Sequence, residues 1–388
     1  MKKAPINWTN VVLFSLTPLF AVTLVPLYGL YYGYEWFEWL MFVLLMGVCG
    51  MSITAGYHRL WAHKAYRAHP VLRVMFAVGG AFALQNDILH WASDHRRHHR
   101  HVDDNERDPY SAKRGLWFSH IGWILRDYPS GEEDFSNVKD LLRDPVVVWQ
   151  ARYYLPLVLL TNIGLPLLLG LLYGDIIASL LLAGLLRLVL SHHFTWLINS
   201  LAHKWGVQPY SKDNTARDNS LLALFTYGEG YHNYHHAFQW DYRMGIKWWH
   251  FDPTKWMIRV LSWFRLTGDL KRSTPAQVEK TRVTLQYQSA TERCEMLDLP
   301  QKIRQHLQQE YEQLLHTLQL WTEHRQAWYE AAEAAKDKHI QKTLEQWDRL
   351  ALKDRYQEVQ FRLRTQRRRW RRLIRNLHNP AESVLAAA

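Results

Sequence analysis

Long apolar stretches dominate the first two thirds of the chain, at residues 9–31, 36–57, 155–173 and 176–197. An α-helix needs roughly 20 residues to cross a bilayer, so each stretch is long enough to do so. The first two are joined around Tyr34–Glu35 and the last two around Gly174–Asp175. Links this short leave room only for tight turns. The pattern therefore predicts four membrane-spanning helices in two hairpins.

Three clusters of histidine lie outside these stretches: His58 and His63; His95, His98 and His99; His232, His235 and His236. Side chains at positions i, i+3 and i+4 of a helix share one face, so the second and third clusters can each converge on a point. Neutral imidazole suits iron, zinc and copper. A single histidine is more often an ordinary polar group, but three clusters together indicate a metal site.

A fifth apolar segment, residues 71–91, separates the first histidine cluster from the second. If it crossed the membrane, the two clusters would lie on opposite sides and the metal site would be split. We therefore predict an interfacial or re-entrant helix there. Four tryptophans follow the third cluster: Trp248, Trp249, Trp256 and Trp263. Tryptophan has an apolar body and a polar N–H, so they predict a second interfacial segment. Ordinary core packing is the alternative.

The character of the chain changes at about Ser273, which divides it into a membrane domain, 1–272, and a charged helical extension, 273–388. Apolar residues in the extension recur at steps of three and four, as in Leu307, Tyr311, Leu314, Leu318, Trp321 and Trp328. This spacing predicts an amphipathic helix or helical hairpin. The arginines from Arg362 to Arg375, with Trp370 among them, could bind anionic lipid or RNA, or form a solvated face.

The formal net charge of +11 is typical of nucleic-acid binding but equally of a membrane protein with basic residues on its cytoplasmic side. Lys2, Lys3 and the basic stretch 59–152 flank the spans on one side, whereas the hairpin tips carry no Lys or Arg. The positive-inside rule makes that side the cytoplasm, with both termini there. Only two cysteines are present, so neither a disulfide framework nor sulfur ligation is predicted.

The histidine clusters have flanking motifs: Thr54-Ala-Gly-Tyr-His58, Gln85-Asn-Asp, Gly228-Glu-Gly-Tyr-His232 and Thr195-Trp-Leu-Ile-Asn199-Ser-Leu-Ala-His203. With them, the chain resembles the membrane fatty-acyl desaturases over residues 8–265, and specifically their acyl-CoA Δ9, stearoyl-CoA-like branch. The resemblance implies an all-α membrane protein whose cytoplasmic cap carries a histidine-ligated di-iron site. It implies that Asn199 faces iron through a water and that nine ligands hold the two ions: His58, His63, His95, His98, His99, His203, His232, His235 and His236.

The family implies oxygen-dependent desaturation of a long-chain saturated acyl group to a cis-monounsaturated product. It also implies an acyl tunnel whose bend is lined by Gln85, Trp91, Thr195 and Trp196. Counting back from His58 by eight and twelve residues puts Gly50 and Met46 on a common helix face. From this phase we expect a small Gly50 to leave depth for a long acyl chain.

Carboxylates orient metal-bound imidazoles through the distal ring N–H. Four acidic residues near the clusters are candidates for this role, with surface or capping roles as alternatives: Asp87, Asp94, Asp108 and Glu229. For the acyl carrier, Ser93 and Asp127 stand where animal acyl-CoA enzymes have basic residues. Arg126, with other nearby cations, is expected to compensate.

No Gly-x-Gly-x-x-Gly motif and no fused haem domain occurs in the chain, so we expect a separate ferredoxin- or cytochrome-type electron donor. The same absence indicates a bacterial enzyme of the inner membrane. Alternatives are a phospholipid acyl desaturase, a related histidine-box hydroxylase and, from another class, a metal-binding transporter or sensor. Transport sites lie near the bilayer midplane, whereas these ligands gather at one membrane surface.

Overall fold

A computed structural model describes residues 4–334 and 344–378. Lys2 and Lys3, which contributed to the predicted orientation, lie outside these residues. The chain divides into two compact units, Met1–Arg272 and Ser273–Ala388. Each unit has its own buried core.

Among the described residues of the first unit, four helices are long and apolar enough to cross a membrane, as predicted: Trp8–Tyr31, Trp36–Ala62, Tyr154–Tyr173 and Ile176–His203. A reciprocal capping box of Glu35 and Glu38 starts the second of them. Tyr28 in the first hairpin donates a hydrogen bond to Asp175 in the second at 2.8 Å. The two hairpin tips are thereby linked.

Three of these helices contain π-helical segments, which the sequence pattern did not reveal. Helix α1 is Trp8–Tyr31, and α2, Trp36–Met51, continues as a π-helix over Ser52–Ala62. The third apolar helix comprises α7, a π segment and α8, at Tyr154–Leu159, Leu160–Gly164 and Leu165–Tyr173. The fourth comprises α9, a π segment, α10 and a 3₁₀ turn, at Ile176–Ser179, Leu180–Leu186, Arg187–Asn199 and Leu201–His203. Such π segments are frequent at functional sites.

The predicted segment 71–91 is not one helix. Helix α3, Pro70–Ala81, ends before a turn at residues 82–87, and α4, Ile88–His101, starts after it. The Asp87 side chain accepts hydrogen bonds from two backbone amides of the first turn of α4, so it caps that helix. At 12 residues α3 is too short to span a bilayer. The expectation that this segment does not form a fifth span is confirmed.

Short helices complete the first unit around the ends of the spans. They are α5 Leu116–His120, α6 Pro145–Arg152, α11 Ser220–Phe225, α12 His232–Ala237 and α13 Pro253–Trp263, with 3₁₀ turns at Ala112–Arg114, Gly122–Ile124, Pro129–Gly131, Ser136–Val138 and Leu141–Arg143. Strands β1, Arg67–Ala68, and β2, Thr267–Gly268, pair antiparallel. The main core surrounds the π-helical end of α2, all of whose residues are buried.

The four tryptophans near α13 are solvent-accessible rather than core residues. Trp248, Trp249, Trp256 and Trp263 are 84%, 61%, 43% and 67% exposed. The core alternative is therefore wrong for them, and the interfacial segment stays a prediction.

One helix or a hairpin was expected in the second unit, but its described residues form three helices, α14 Pro275–Met296, α15 Gln301–Ala334 and α16 Leu344–His378. Its core contains Leu307 and Leu314 of α15 with Leu363 and Trp370 of α16. The indole N–H of Trp370 donates to Gln286 at 2.8 Å, so this tryptophan packs inside the unit and is not available to a ligand.

Candidate metal centre

The nine predicted histidines come together in two adjacent groups. One contains His58, His63, His95, His99 and His235, and the other contains His98, His203, His232 and His236. Within each group, one ring nitrogen per residue lies within 4.8 Å of all the others. Each group could therefore hold one metal ion.

The π-helical end of α2 explains how the first cluster converges. The backbone N–H of His63 donates to the carbonyl of His58 at 3.0 Å, which is an i→i+5 hydrogen bond. A π turn brings residues five apart close to one another, which an α-helix would not do. The local geometry thus fits the spacing of this pair.

Helices α4 and α12 each contribute candidate ligands to both groups. His95 and His99 of α4 lie in the first group, and His98, which lies between them in sequence, belongs to the second. On α12, His235 joins the first group while His232 and His236 join the second. The i, i+3 and i+4 spacing therefore places residues on one face, as predicted, but divides them between two sites.

The Nε2 atoms of facing histidines lie close together inside each group. The Nε2 atoms of His63 and His95 are 2.8 Å apart, and those of His235 and His99 are 2.9 Å apart. Six of these histidines have a pKa well below the usual histidine range: His63, His95, His99, His232, His235 and His236. Burial is the main cause, and the charge that neighbouring imidazoles would carry adds to it. Neutral imidazoles facing one another offer lone pairs, which is what a metal ion requires.

Two of the four candidate carboxylates orient these rings. Glu229 lies 2.8 Å from the Nδ1 of His58, and Asp108 lies 2.9 Å from the Nδ1 of His98. Each fixes the ring so that its Nε2 points inward. Burial alone would raise the pKa of Glu229, but the charges and hydrogen bonds of His58 and Arg59 hold it below its usual range.

The other two candidate carboxylates do something else. Asp87 caps α4 and accepts from the Nδ1 of His90 at 2.6 Å, and Asp94 lies 3.9 Å from Arg97. Neither makes a hydrogen bond or ion pair to any of the nine histidines in the part of the chain that the structure describes. On a helix, residues 94 and 95 point in different directions, so proximity in sequence to His95 is not proximity in space.

Sequence reasoning missed two groups that touch the cluster from outside. The hydroxyl of Thr215 lies 2.9 Å from the Nδ1 of His203 and donates to Asp103 at 2.6 Å. The Tyr110 hydroxyl lies 3.4 Å from the Nδ1 of His95. These residues come from loops 12 or more positions away from their histidines, so no helical spacing could have pointed to them.

A cavity of about 590 Å³ reaches the histidines from the surface. Three candidate ligands, His58, His95 and His232, lie in its wall. Six predicted site residues also line it: Gln85, Trp91, Arg126, Thr195, Trp196 and Asn199. The amide of Gln85 donates to the Thr195 hydroxyl at 2.8 Å, and the ring of Trp91 stacks on His95.

A small cavity of about 20 Å³ contains Met46 and Gly50 in its wall. It shares Ile53, Thr54, Thr195 and Ile198 with the larger cavity, so the two cavities have a common wall at Thr195. The expected depth over Gly50 is absent. A Cβ atom there would lie 2.1 Å from the ring of Tyr227, because this ring covers the glycine. Our count of helical phase also crossed the π segment that begins at Ser52, where α-helical periodicity does not hold.

Comparison with known proteins identifies the family. A sequence model described as fatty acid desaturase matches residues 36–262, which include all nine histidines. The chain belongs to this family. It is 39% identical over 277 residues to the probable acyl-CoA desaturase of Schizosaccharomyces pombe and 39% identical over 284 residues to acyl-CoA desaturase 1 of Saccharomyces cerevisiae. It is 40% identical over 280 residues to human stearoyl-CoA desaturase 5.

These similarities cover 71%, 72% and 71% of the chain respectively. They cover 57% and 54% of the two yeast proteins and 83% of the human one. The chain thus spans about half the length of its yeast relatives.

Proposed function

We propose that the chain is an acyl-CoA desaturase that introduces a cis double bond at the Δ9 position of a long-chain saturated acyl group, using O₂. One observation carries the proposal: a cavity of about 590 Å³ reaches two adjacent groups of inward-facing imidazoles. The names of the relatives, acyl-CoA and stearoyl-CoA desaturase, support the substrate class.

We infer that two iron ions occupy the two histidine groups, five ligands for one and four for the other. The donor set fits, because the buried Nε2 of His98 has no hydrogen-bond partner in the described part of the chain and belongs to the second group. Bound iron supplies the O₂-derived oxidant that no amino acid side chain provides for removing hydrogen from an unactivated methylene. Glu229, Asp108 and Thr215 keep the imidazoles oriented for it.

The remaining parts of the site hold the substrate. Trp91 and Trp196 give the cavity an aromatic wall, while Gln85 and Thr195 form a polar pair where the two cavities have a common wall. Asn199 also lines the cavity, four residues before His203. We propose that it acts through a water, so that Asn199→Ala slows turnover without releasing iron.

A phospholipid is the second candidate for the acyl carrier. The charge of the cavity favours it over CoA. Arg126 lines the cavity, but its guanidinium donates to the backbone carbonyl of Ala4 at 2.6 Å. Five carboxylates of the same cavity would face a polyanionic CoA group: Asp94, Asp127, Glu132, Glu133 and Asp134. Acyl-CoA remains our proposal because the relatives bear that name.

The electron donor is proposed to be a separate ferredoxin- or cytochrome-type protein. The membrane orientation, with the histidines and both termini on the cytoplasmic side, rests on the distribution of basic residues in the sequence. The bacterial inner membrane is likewise a proposal from the sequence.

Metal content and product analysis test the proposal. The full chain, purified from membranes and supplied with ferrous iron, O₂ and a reduced donor, should hold two irons and convert stearoyl-CoA to one monounsaturated product. His235→Ala should lose both iron and activity, whereas His101→Ala, a matched change on α4 outside both groups, should keep them. A hydroxylated product would indicate a hydroxylase, and turnover only of phospholipid would change the carrier. Zinc without turnover would favour a transporter or sensor.

A further inference from the structure

The turn at residues 82–87 is non-helical backbone packed against the fourth apolar helix. Beyond the end of α3, the carbonyls of Phe82, Ala83 and Leu84 make no backbone hydrogen bond in the described structure. Leu84 and Asn86 both have positive φ, +49° and +75°, which costs conformational energy in residues other than glycine. A turn of this kind in an apolar environment needs side chains that satisfy its polar groups and hold its conformation.

Two side chains of α10 supply those hydrogen bonds. The Nη1 of Arg187 donates to the carbonyl of Phe82 at 2.9 Å, and its guanidinium lies 3.6 Å from the centre of the Phe82 ring. The Nε2 of His192 lies 2.9 Å from the carbonyl oxygen of Ala83 and 3.1 Å from that of Leu84. Because carbonyl oxygens only accept, His192 must carry its proton on Nε2. All three orphan carbonyls are satisfied by this pair.

Burying the charged guanidinium of Arg187 costs free energy. It is fully buried inside a membrane-spanning helix and forms no ion pair with any acidic residue in the described ranges. Its other partners are neutral, the carbonyl of Ala183 at 2.8 Å and the amide oxygen of Asn162 at 2.5 Å. Ionisable residues within membrane spans usually have a functional reason to be there.

The turn that these residues hold forms part of the cavity wall. Leu84, Gln85 and Asn86 line the large cavity, and Gln85 bonds Thr195 of α10 where the two cavities have a common wall. Three side chains of α10 therefore hold the turn by hydrogen bonds: Arg187, His192 and Thr195. A shift of the turn would change the wall of the large cavity beside Gln85 and Thr195, and His192 itself also lines that cavity.

We propose that Arg187 and His192 are positioning residues that determine where the double bond is placed, by holding the 82–87 turn against α10. The inference rests on the proposed desaturase function. Neither residue touches the histidine groups, so the metal site should survive their replacement. Loosening the turn should allow the acyl chain to advance or retreat by a carbon, giving a mixture of positional isomers.

The test uses the full chain in membranes and measures double-bond position by mass spectrometry, with iron content as a second readout. Arg187→Gln and His192→Phe should raise the fraction of misplaced double bonds roughly tenfold while retaining iron. His192→Gln restores a side-chain N–H donor and should return most product to the wild-type position. The matched control is His193→Phe, since His193 bonds His120 and not the turn, and it should keep the wild-type position.

Amide hydrogen exchange at residues 82–87 provides a readout that needs no turnover, and it should accelerate in His192→Phe but not in His193→Phe. Faster exchange with an unchanged product position would overturn the proposal by showing a purely structural role. If Arg187→Gln does not accumulate, the pair His192→Phe and His192→Gln decides the matter. A wild-type chain that makes no unsaturated product would overturn the desaturase function, and the exchange data would still decide whether His192 holds the turn.

Discussion

Asp108 lies 2.9 Å from the Nδ1 of His98, and both side chains are buried, at 0% and 2% exposure. The second carboxylate oxygen of Asp108 accepts from the backbone N–H of Asp103 at 3.0 Å, which fixes its orientation. His98 cannot rotate without breaking this arrangement. Its Nε2 is therefore held toward the second histidine group.

Asp108→Asn should weaken metal binding. An amide either offers its N–H to the Nδ1 of His98 or accepts less strongly than a carboxylate, so the ring loses both basicity and orientation. Losses of about 10- to 100-fold in metal affinity are typical for such outer partners. Competition with a chelator measures the effect. Asp94→Asn is the matched control on α4 and should leave metal affinity unchanged, and equal losses in the two variants would contradict the assigned role.

Tyr227 closes the small cavity beside Gly50, and its hydroxyl donates to the carbonyl of Met46 at 2.9 Å. Tyr227→Ala should connect the space over Gly50 to the larger cavity and shift preference toward longer acyl chains. Each methylene accommodated in an apolar pocket is worth about 1–3 kcal/mol of discrimination. Competition between saturated acyl chains of different length measures the shift.

Tyr227→Phe is the control for this experiment, because it keeps the ring and removes only the hydrogen bond to Met46. It should retain the wild-type preference. Gly50→Leu should not shorten the preferred chain cleanly, since its side chain collides with the Tyr227 ring. We expect it to lower the stability of the fold by about 1–3 kcal/mol. A stable Gly50→Leu protein with unaltered preference would remove this region from the tunnel.

His90 provides a test of pH dependence away from the metal cluster. Its Nδ1 lies 2.6 Å from Asp87 and its Nε2 2.8 Å from Glu133. The hydrogen bond of Asp87, aided by the charges of both carboxylates and opposed by burial, raises the pKa of His90 to about 9. In the unfolded chain the ordinary value is about 6.5.

Because the folded state binds this proton more tightly, the stabilisation is fully present below pH 6.5 and is lost as the pH rises through about 9. The melting temperature of the wild type should fall across this window, and that of His90→Gln should fall less. Thermal unfolding in detergent at several pH values measures the difference. Parallel curves for the two proteins between these limits would refute the assignment.

The sequence predicted the features that depend on regular periodicity. Four spans follow from stretches of about 20 apolar residues, and the sharing of a face by His95 and His99 follows from helical spacing. The resemblance to the desaturases then brought in His203, which no cluster contains. The spacing of the histidines in the sequence did not decide between one metal ion and two. The folded chain separates the histidines into two groups.

What the sequence did not predict depends on irregular backbone and on long-range contacts. The π segment Ser52–Ala62 changes the helical phase between Gly50 and His58, so the helix face on which depth was expected is covered by Tyr227. Thr215 reaches His203 through a loop. His192 belongs to none of the histidine clusters, yet it is buried and holds the 82–87 turn. None of these relationships has a fixed sequence separation.

The C-terminal unit offers a test that is independent of the metal site. A truncation after Gly268 would remove Lys271, whose backbone pairs with Ala65 and Tyr242 of the first unit. Truncation after Arg272 keeps those hydrogen bonds and all nine histidines. The shortened chain should therefore retain its metal and the position of its double bond. Loss of metal on this truncation would assign the C-terminal unit a part in building the site.

The arginines of α16 predict what that unit binds. Within the stretch Arg362–Arg375, Arg367 pairs with Glu279 at 2.8 Å, whereas the other seven arginines are exposed: Arg362, Arg364, Arg368, Arg369, Arg371, Arg372 and Arg375. Each basic residue near an anionic bilayer contributes roughly 1 kcal/mol, with strong screening by salt. For the full chain in anionic bilayers at low salt, trypsin should cleave after these arginines more slowly than in neutral bilayers, and high salt should remove the protection. Equal cleavage in both bilayers would exclude lipid binding by α16 and favour a protein partner.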